Sequence, residues 1–148
     1  MGNVNLLFDV YKNGISINSK INYDLIRLKS GLKLKTKKGF SDIYSAIVDT
    51  GAHISLLPLS IWKEAECEKL GECKLSGVSD ENGFILVDVG KINYFLTDNI
   101  GNKTKEMSMF AFLAHTDKVP LILGFKDALD KLGIHFNFNK NMAYAEEV

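Results

Sequence analysis

The chain has no net charge: 18 lysines and arginines balance 18 aspartates and glutamates across 148 residues. It therefore lacks the field that draws a protein to nucleic acid or to an anionic membrane. No apolar run approaches the roughly 18 residues needed to cross a bilayer. Met1-Gly2-Asn3-Val4-Asn5 also lacks the basic start and apolar stretch of an export signal. The expectation is a cytoplasmic protein with no membrane and no nucleic-acid partner. Cysteine is scarce: Cys67 and Cys73 are the only two, and without an export signal reduced thiols are expected rather than a disulfide. His53, His115 and His135 show no metal-ligand spacing, so no metal is expected. No Pro/Gly/Ser-rich linker breaks the chain, and 16.5 kDa suits one domain over residues 1–148. With 46% hydrophobic and 24% charged residues, the composition excludes the disordered and collagen-like classes.

What is present reads as short strands. Val4, Leu6, Phe8 and Val10 alternate with Asn5, Leu7, Asp9 and Tyr11, and the turn-prone Lys12-Asn13-Gly14 is expected to end that strand. Further strands are expected at residues 20–28, 32–36, 44–48, 73–78, 83–89, 91–97, 108–113, 119–123 and 134–138. A short helix is expected after Pro58, with Leu59, Trp62 and Ala65 on one side, and a second over residues 126–132, stopped by Gly133. The fold class that follows is all-β, a small closed barrel with one or two short helices. Lys33, Lys35 and Lys37, with Lys38 beside them, are expected as a solvated strand face, and Trp62 and Phe136 as core residues.

Ala46-Ile47-Val48-Asp49-Thr50-Gly51-Ala52 places one carboxylate on a tight glycine turn after an apolar strand. Gly51 permits a sharp turn that exposes peptide N–H groups, and the Thr50 hydroxyl is suited to brace it. The exit, Ile54-Ser55-Leu56-Leu57-Pro58, is nearly as apolar. A carboxylate held between two buried segments is positioned rather than floppy, as catalysis requires.

These residues resemble the retropepsin-like aspartic proteases, the single-domain retroviral type and its prokaryotic relatives, over residues 45–138. The likeness rests on the apolar strand into Asp49-Thr50-Gly51-Ala52, on Ile54-Ser55-Leu56-Leu57-Pro58, on Leu75-Ser76-Gly77-Val78 and on Leu121-Ile122-Leu123-Gly124. It implies a closed acid-protease barrel and a homodimer in which one catalytic Asp49 from each subunit meets its twin. The implied activity is aspartic endopeptidase, with water activated to hydrolyse bonds in an extended peptide or protein substrate and no cofactor. Thr50, Gly51, Ala52, Leu123 and Gly124 would support the catalytic loop. Ser76, Gly77, Val78, Ser79, Asn82 and Gly83 would belong to a flap that closes on substrate, with acidic Asp80 and Glu81 at its tip.

Phe84, Ile85, Phe110 and Phe112 are candidates for an apolar groove. The retroviral members pair an arginine after the late glycine with an aspartate after the catalytic turn. Phe125 and His53 stand at those places here. Residues 4–10 and 134–138 are the expected subunit contacts. The rival expectation is a noncatalytic peptide-binding or assembly module on the same framework.

Overall fold

In a computed structural model, residues 2–76 and 83–148 are described, and they are predominantly β. The first half contains β1 (Asn3–Asn5), β2 (Leu7–Ser16), β3 (Asn22–Thr36), β4 (Gly39–Phe40), β5 (Tyr44–Val48) and β6 (Ser55–Leu57). Helix α1 (Leu59–Trp62) leads to β7 (Cys67–Ser76), β8 (Phe84–Thr97), β9 (Met107–Ala114) and β10 (Ile122–Leu123). A 3-10 turn at Leu129–Lys131 precedes β11 (Leu132–Asn137) and β12 (Met142–Glu147).

Strand β3 organises the large sheet. It pairs with β5 at Lys29↔Ile47 through Leu32↔Tyr44, and with β8 at Gly31↔Thr97 through Leu34↔Tyr94. The pairings run from β3 through β5, β10, β6, β9 and β8 and return to β3. Gly31 is where β3 switches partners, and a Cβ there would lie 2.4 Å from the Thr97 carbonyl oxygen. Glycine at this point joins two sheet segments rather than ending a strand, which is why residues 22–36 form one strand instead of the two expected.

Alternating residues of these strands turn into one core. Leu32, Leu34, Leu57, Tyr94, Met109 and Leu113 are fully buried, together with Leu123 of the short β10. Each such side chain contributes on the order of 1.5–3 kcal/mol by leaving water. Tyr94 resolves its polar end by donating its hydroxyl to the Asp127 carbonyl. Burial, then the charges of Asp127 and Asp130, push its ionisation far above the ordinary tyrosine range.

A second sheet, ordered β1-β12-β11, joins the two ends of the chain. Val4 of β1 pairs with Ala145, and Leu6 closes a small apolar cluster with Ala143 and Ala145. No helix among the described residues is long and apolar enough to cross a membrane.

Several expectations change for identifiable reasons. Strand β2 continues through Lys12-Asn13-Gly14 because the turn-prone residues form a bulge between Tyr11 and Ile15. Asn13 takes φ 52° and donates its N–H to Asp24 Oδ1 at 3.0 Å. Helix α1 lasts one turn, since Ala65 leaves it to bridge to Thr36. The helix expected over 126–132 shrinks to Leu129–Lys131 because Asp127 adopts φ 61° and accepts a bond from the Phe110 N–H through its carboxylate. Strand β12 was not anticipated. Lys37 and Lys38 sit in the β3–β4 turn, leaving Lys33 and Lys35 on the strand. Phe136 is not core but 66% exposed, and Trp62 is half-buried with its indole N–H bonded to the Ala114 carbonyl.

Asp98 ties the two sheets together. Its buried carboxylate accepts bonds from the Asn5 N–H at 2.9 Å, from the Ile100 and Asn102 N–H groups, and from the Asn102 amide. Burial works against its charge, but these donors outweigh that cost and hold its pKa below the usual carboxylate value. The stabilisation is present above the unfolded pKa of about 3.9 and is lost as pH falls through the lower folded value. Asp98→Ala is expected to lower unfolding free energy at neutral pH by about 2 kcal/mol and to flatten the acid limb of the stability profile. Urea titrations from neutral to acidic pH measure both effects.

Candidate active site

The Asp49 turn is built where three strands cross. Strand β5 delivers Asp49 and runs parallel to β10 through Ile47↔Ile122 and Val48↔Leu123. Strand β10 is flanked on its other side by β6, the exit from the turn, through Ile122↔Leu56. Both ends of the Asp49 loop are therefore bonded to the same two-residue strand. The apolar runs on either side of Asp49-Thr50-Gly51 bury against this crossing and leave the polar tip outside.

Backbone bonds then fix the tip. The Asp49 N–H donates to the Leu123 carbonyl at 3.0 Å, and the Asp49 carbonyl accepts from the Ala52 N–H at 3.2 Å. The Gly51 N–H donates to Asp49 Oδ1 at 2.8 Å and fixes the orientation of the carboxylate. Asp49 is partly exposed, whereas Thr50 and Gly51 are open to solvent. The bracing bonds found among the described residues come from Gly51, Leu123 and the stretch after Gly124 rather than from the Thr50 hydroxyl.

Gly124 locks the arrangement from below. A Cβ on it would lie 2.8 Å from the Ala52 oxygen and 2.8 Å from both the carbonyl carbon and oxygen of Ile54. Its N–H donates to Ser55 Oγ at 3.0 Å, which gives that fully buried hydroxyl its purpose. The next two N–H groups, of Phe125 and Lys126, donate to the carbonyls of Ala52 and His53 at 3.0 and 2.9 Å. His53 and Phe125 are thus brought side by side by main-chain bonds, with no ion pair needed. Both side chains are exposed at the rim of the turn.

The flap expectation falls partly outside the described residues. Gly77, Val78, Ser79 and Asn82 lie there. Ser76 ends β7 opposite Phe84, and Gly83 takes φ 76°, a conformation glycine adopts without strain. The arms form a long antiparallel ribbon down to Cys67↔Ile92. On one arm the buried Asp88 Oδ1 lies 2.9 Å from His115 Nε2 and 3.4 Å from Lys69 Nζ. Of the groove candidates, Ile85 is buried and Phe84, Phe110 and Phe112 are half-buried. Cys67 and Cys73 are both free thiols on β7. Among the described residues no group of three or more His, Cys, Asp or Glu side chains forms a metal cradle.

No family model, curated protein or solved structure matches this chain. One oriented carboxylate on a rigid, partly exposed turn is suited to activate water or to donate a proton, and it requires a second group to do both.

Two supporting residues escaped the sequence reading. Ser55 is a small polar residue inside an apolar run, a signal that marks a buried hydrogen-bond acceptor without naming its partner. Asp127 had no distinguishing local pattern. Gly124→Ala is expected to destabilise the fold by about 2–4 kcal/mol, because backbone rather than a flexible side chain must move. Ser55→Ala should cost about 1–2 kcal/mol by orphaning the Gly124 N–H. Thermal unfolding of the two variants tests this order, and an unperturbed Gly124→Ala protein would contradict the packing described.

Proposed function

We propose that the chain is an aspartic endopeptidase that works as a homodimer, built on a single closed retropepsin-like barrel and acting in the cytoplasm. The observation that carries this reading is the oriented Asp49 carboxylate, held by Gly51 and stitched to Leu123 and Gly124. The strand pairings that leave β3 and return to it support the barrel. The β7–β8 ribbon supports a flap above an extended substrate, since β7 is the edge strand of the sheet and offers its outer edge to a peptide backbone.

The sequence contains one Asp-Thr-Gly, and on this reading the second carboxylate comes from another copy. Two carboxylates brought together cannot both ionise cheaply, and one retains a shared proton. The ionised member takes a proton from water as the water attacks the peptide carbonyl. The protonated member hydrogen-bonds to the carbonyl oxygen as charge develops there. Collapse of the tetrahedral species passes a proton to the leaving nitrogen and restores the pair without a covalent intermediate. The apparent titration constants of such a pair belong to both carboxyls jointly. Gly51 keeps the geometry through these steps by holding Oδ1 of its own subunit's aspartate.

The test is cleavage of a diverse peptide library from acidic to neutral pH. Asp49→Asn is expected to lower turnover by about 10³-fold or more while leaving the fold intact. Wild-type activity per milligram should rise with protein concentration until the dimer is saturated. A demonstrated dimer that cleaves nothing would favour the noncatalytic peptide-binding module.

A further inference from the structure

The β2–β3 hairpin extends beyond the sheet that anchors it. Pairing of β3 with β5 stops at Lys29↔Ile47, and continuing that antiparallel register sets Arg27 level with Asp49. Residues 22–26 and the turn beyond them therefore project from the same end of the sheet as the Asp49 carboxylate. At about 3.3 Å per residue, the arm passes that level by roughly 17 Å. The tip of the arm is closed by hydrogen bonds: the Ile17 N–H donates to the Ile21 carbonyl at 2.9 Å, and Asn18 Oδ1 accepts from the Lys20 and Ile21 N–H groups.

Its surface is apolar beyond what a solvated hairpin needs. Val10, Tyr11, Tyr23 and Ile26 are exposed, and the tip carries Ile17 at 64% and Ile21 at 50%. An isolated two-stranded ribbon with such side chains in water is marginal by itself, and the register sets exposed Val10 and Ile26 on one face and Tyr11 and Tyr23 on the other, so both faces offer apolar contact. The arm's acidic groups are already matched, Asp9 to Lys29 at 2.6 Å and Asp24 to Lys12 at 3.3 Å.

We infer that this arm is a dimerisation clasp, which reaches across the two-fold axis and packs its apolar faces on a second copy of the chain beside the Asp49 pair. The inference rests on the homodimeric reading above. Three features favour a second copy over a foreign partner. The arm leaves the sheet at the level of the carboxylate that needs its twin. Residues 9–27 carry two acids, Asp9 and Asp24, against three bases, Lys12, Lys20 and Arg27, so like arms meet almost without net repulsion. An arm of about 20 residues also matches the roughly 20–30 residues a side of an ordinary stable interface. The bulge at Asn13 interrupts the outer edge of β2, which disfavours open-ended strand addition and leaves side-chain packing as the mode of contact.

Two variants of the full chain test the clasp by sedimentation equilibrium and by cleavage of a peptide found to require Asp49. Ile17→Lys/Ile21→Lys places charge on exposed tip positions and leaves the core untouched. The second variant replaces the hairpin beyond Asp9 and Arg27 with a two-residue Asn-Gly turn. The expected result is a dimer dissociation constant raised at least tenfold in both, with cleavage lost at low protein concentration and regained at high. An unchanged dissociation constant overturns the clasp. If it is accompanied by a raised KM, the arm contacts substrate instead. A wild-type chain that stays monomeric at every concentration also overturns it. Arm-dependent dimerisation without any Asp49-dependent cleavage supports the clasp and defeats the protease reading, so the two failures are distinguishable.

Discussion

Backbone meets backbone where Gly124 passes beneath the Asp49 turn, and the rest of the site depends on that approach. With 2.8 Å between the place of a missing Cβ and the carbonyls of Ala52 and Ile54, no other residue fits without moving main chain. Because the gap is closed, the N–H groups of Gly124, Phe125 and Lys126 reach Ser55 Oγ and the carbonyls of Ala52 and His53 in succession. The loop carrying Asp49 is thereby fixed along its length, and the carboxylate inherits the rigidity of the core below it.

The same crossing explains the economy of the fold. A two-residue strand, β10, bonds β5 on one side and β6 on the other, so the segments before and after Asp49 are held in one plane of hydrogen bonds. Strand β3 performs a similar service at the far side by pairing with both β5 and β8 around Gly31. Tyr94 and Asp127 brace the late turn against the core, and Asp98 fastens the terminal sheet to the large one. Each brace is a buried polar group whose removal leaves a partner unsatisfied, and such losses are felt more than the mean worth of a hydrogen bond suggests.

Much of this was legible where chemistry is local. Asp49-Thr50-Gly51 between apolar runs, Leu123-Gly124, and the strand at residues 44–48 follow from residue types and short-range alternation. What escaped were braces between residues far apart in sequence, such as Ser55 with Gly124, 69 positions away, and Tyr94 with Asp127, 33 positions away. Asp127 also overrode a helical pattern by taking a left-handed conformation that serves those tertiary bonds. Strand β12 was missed because its inward residues, Ala143 and Ala145, are small and give a weak alternation. The bulge at Asn13 looked like a turn because the residues that form both are the same.

The central claim is that catalysis needs two Asp49 carboxylates from two copies. Subunit mixing tests it most directly: wild-type chain and Asp49→Asn chain are equilibrated at fixed total concentration well above the dimer dissociation constant, and peptide cleavage is measured against the wild-type fraction. The account predicts that activity falls as the square of that fraction, because mixed dimers carry a single carboxylate. A linear fall would show that one Asp49 suffices, and cleavage indifferent to the Asp49→Asn chain's share would place the chemistry elsewhere.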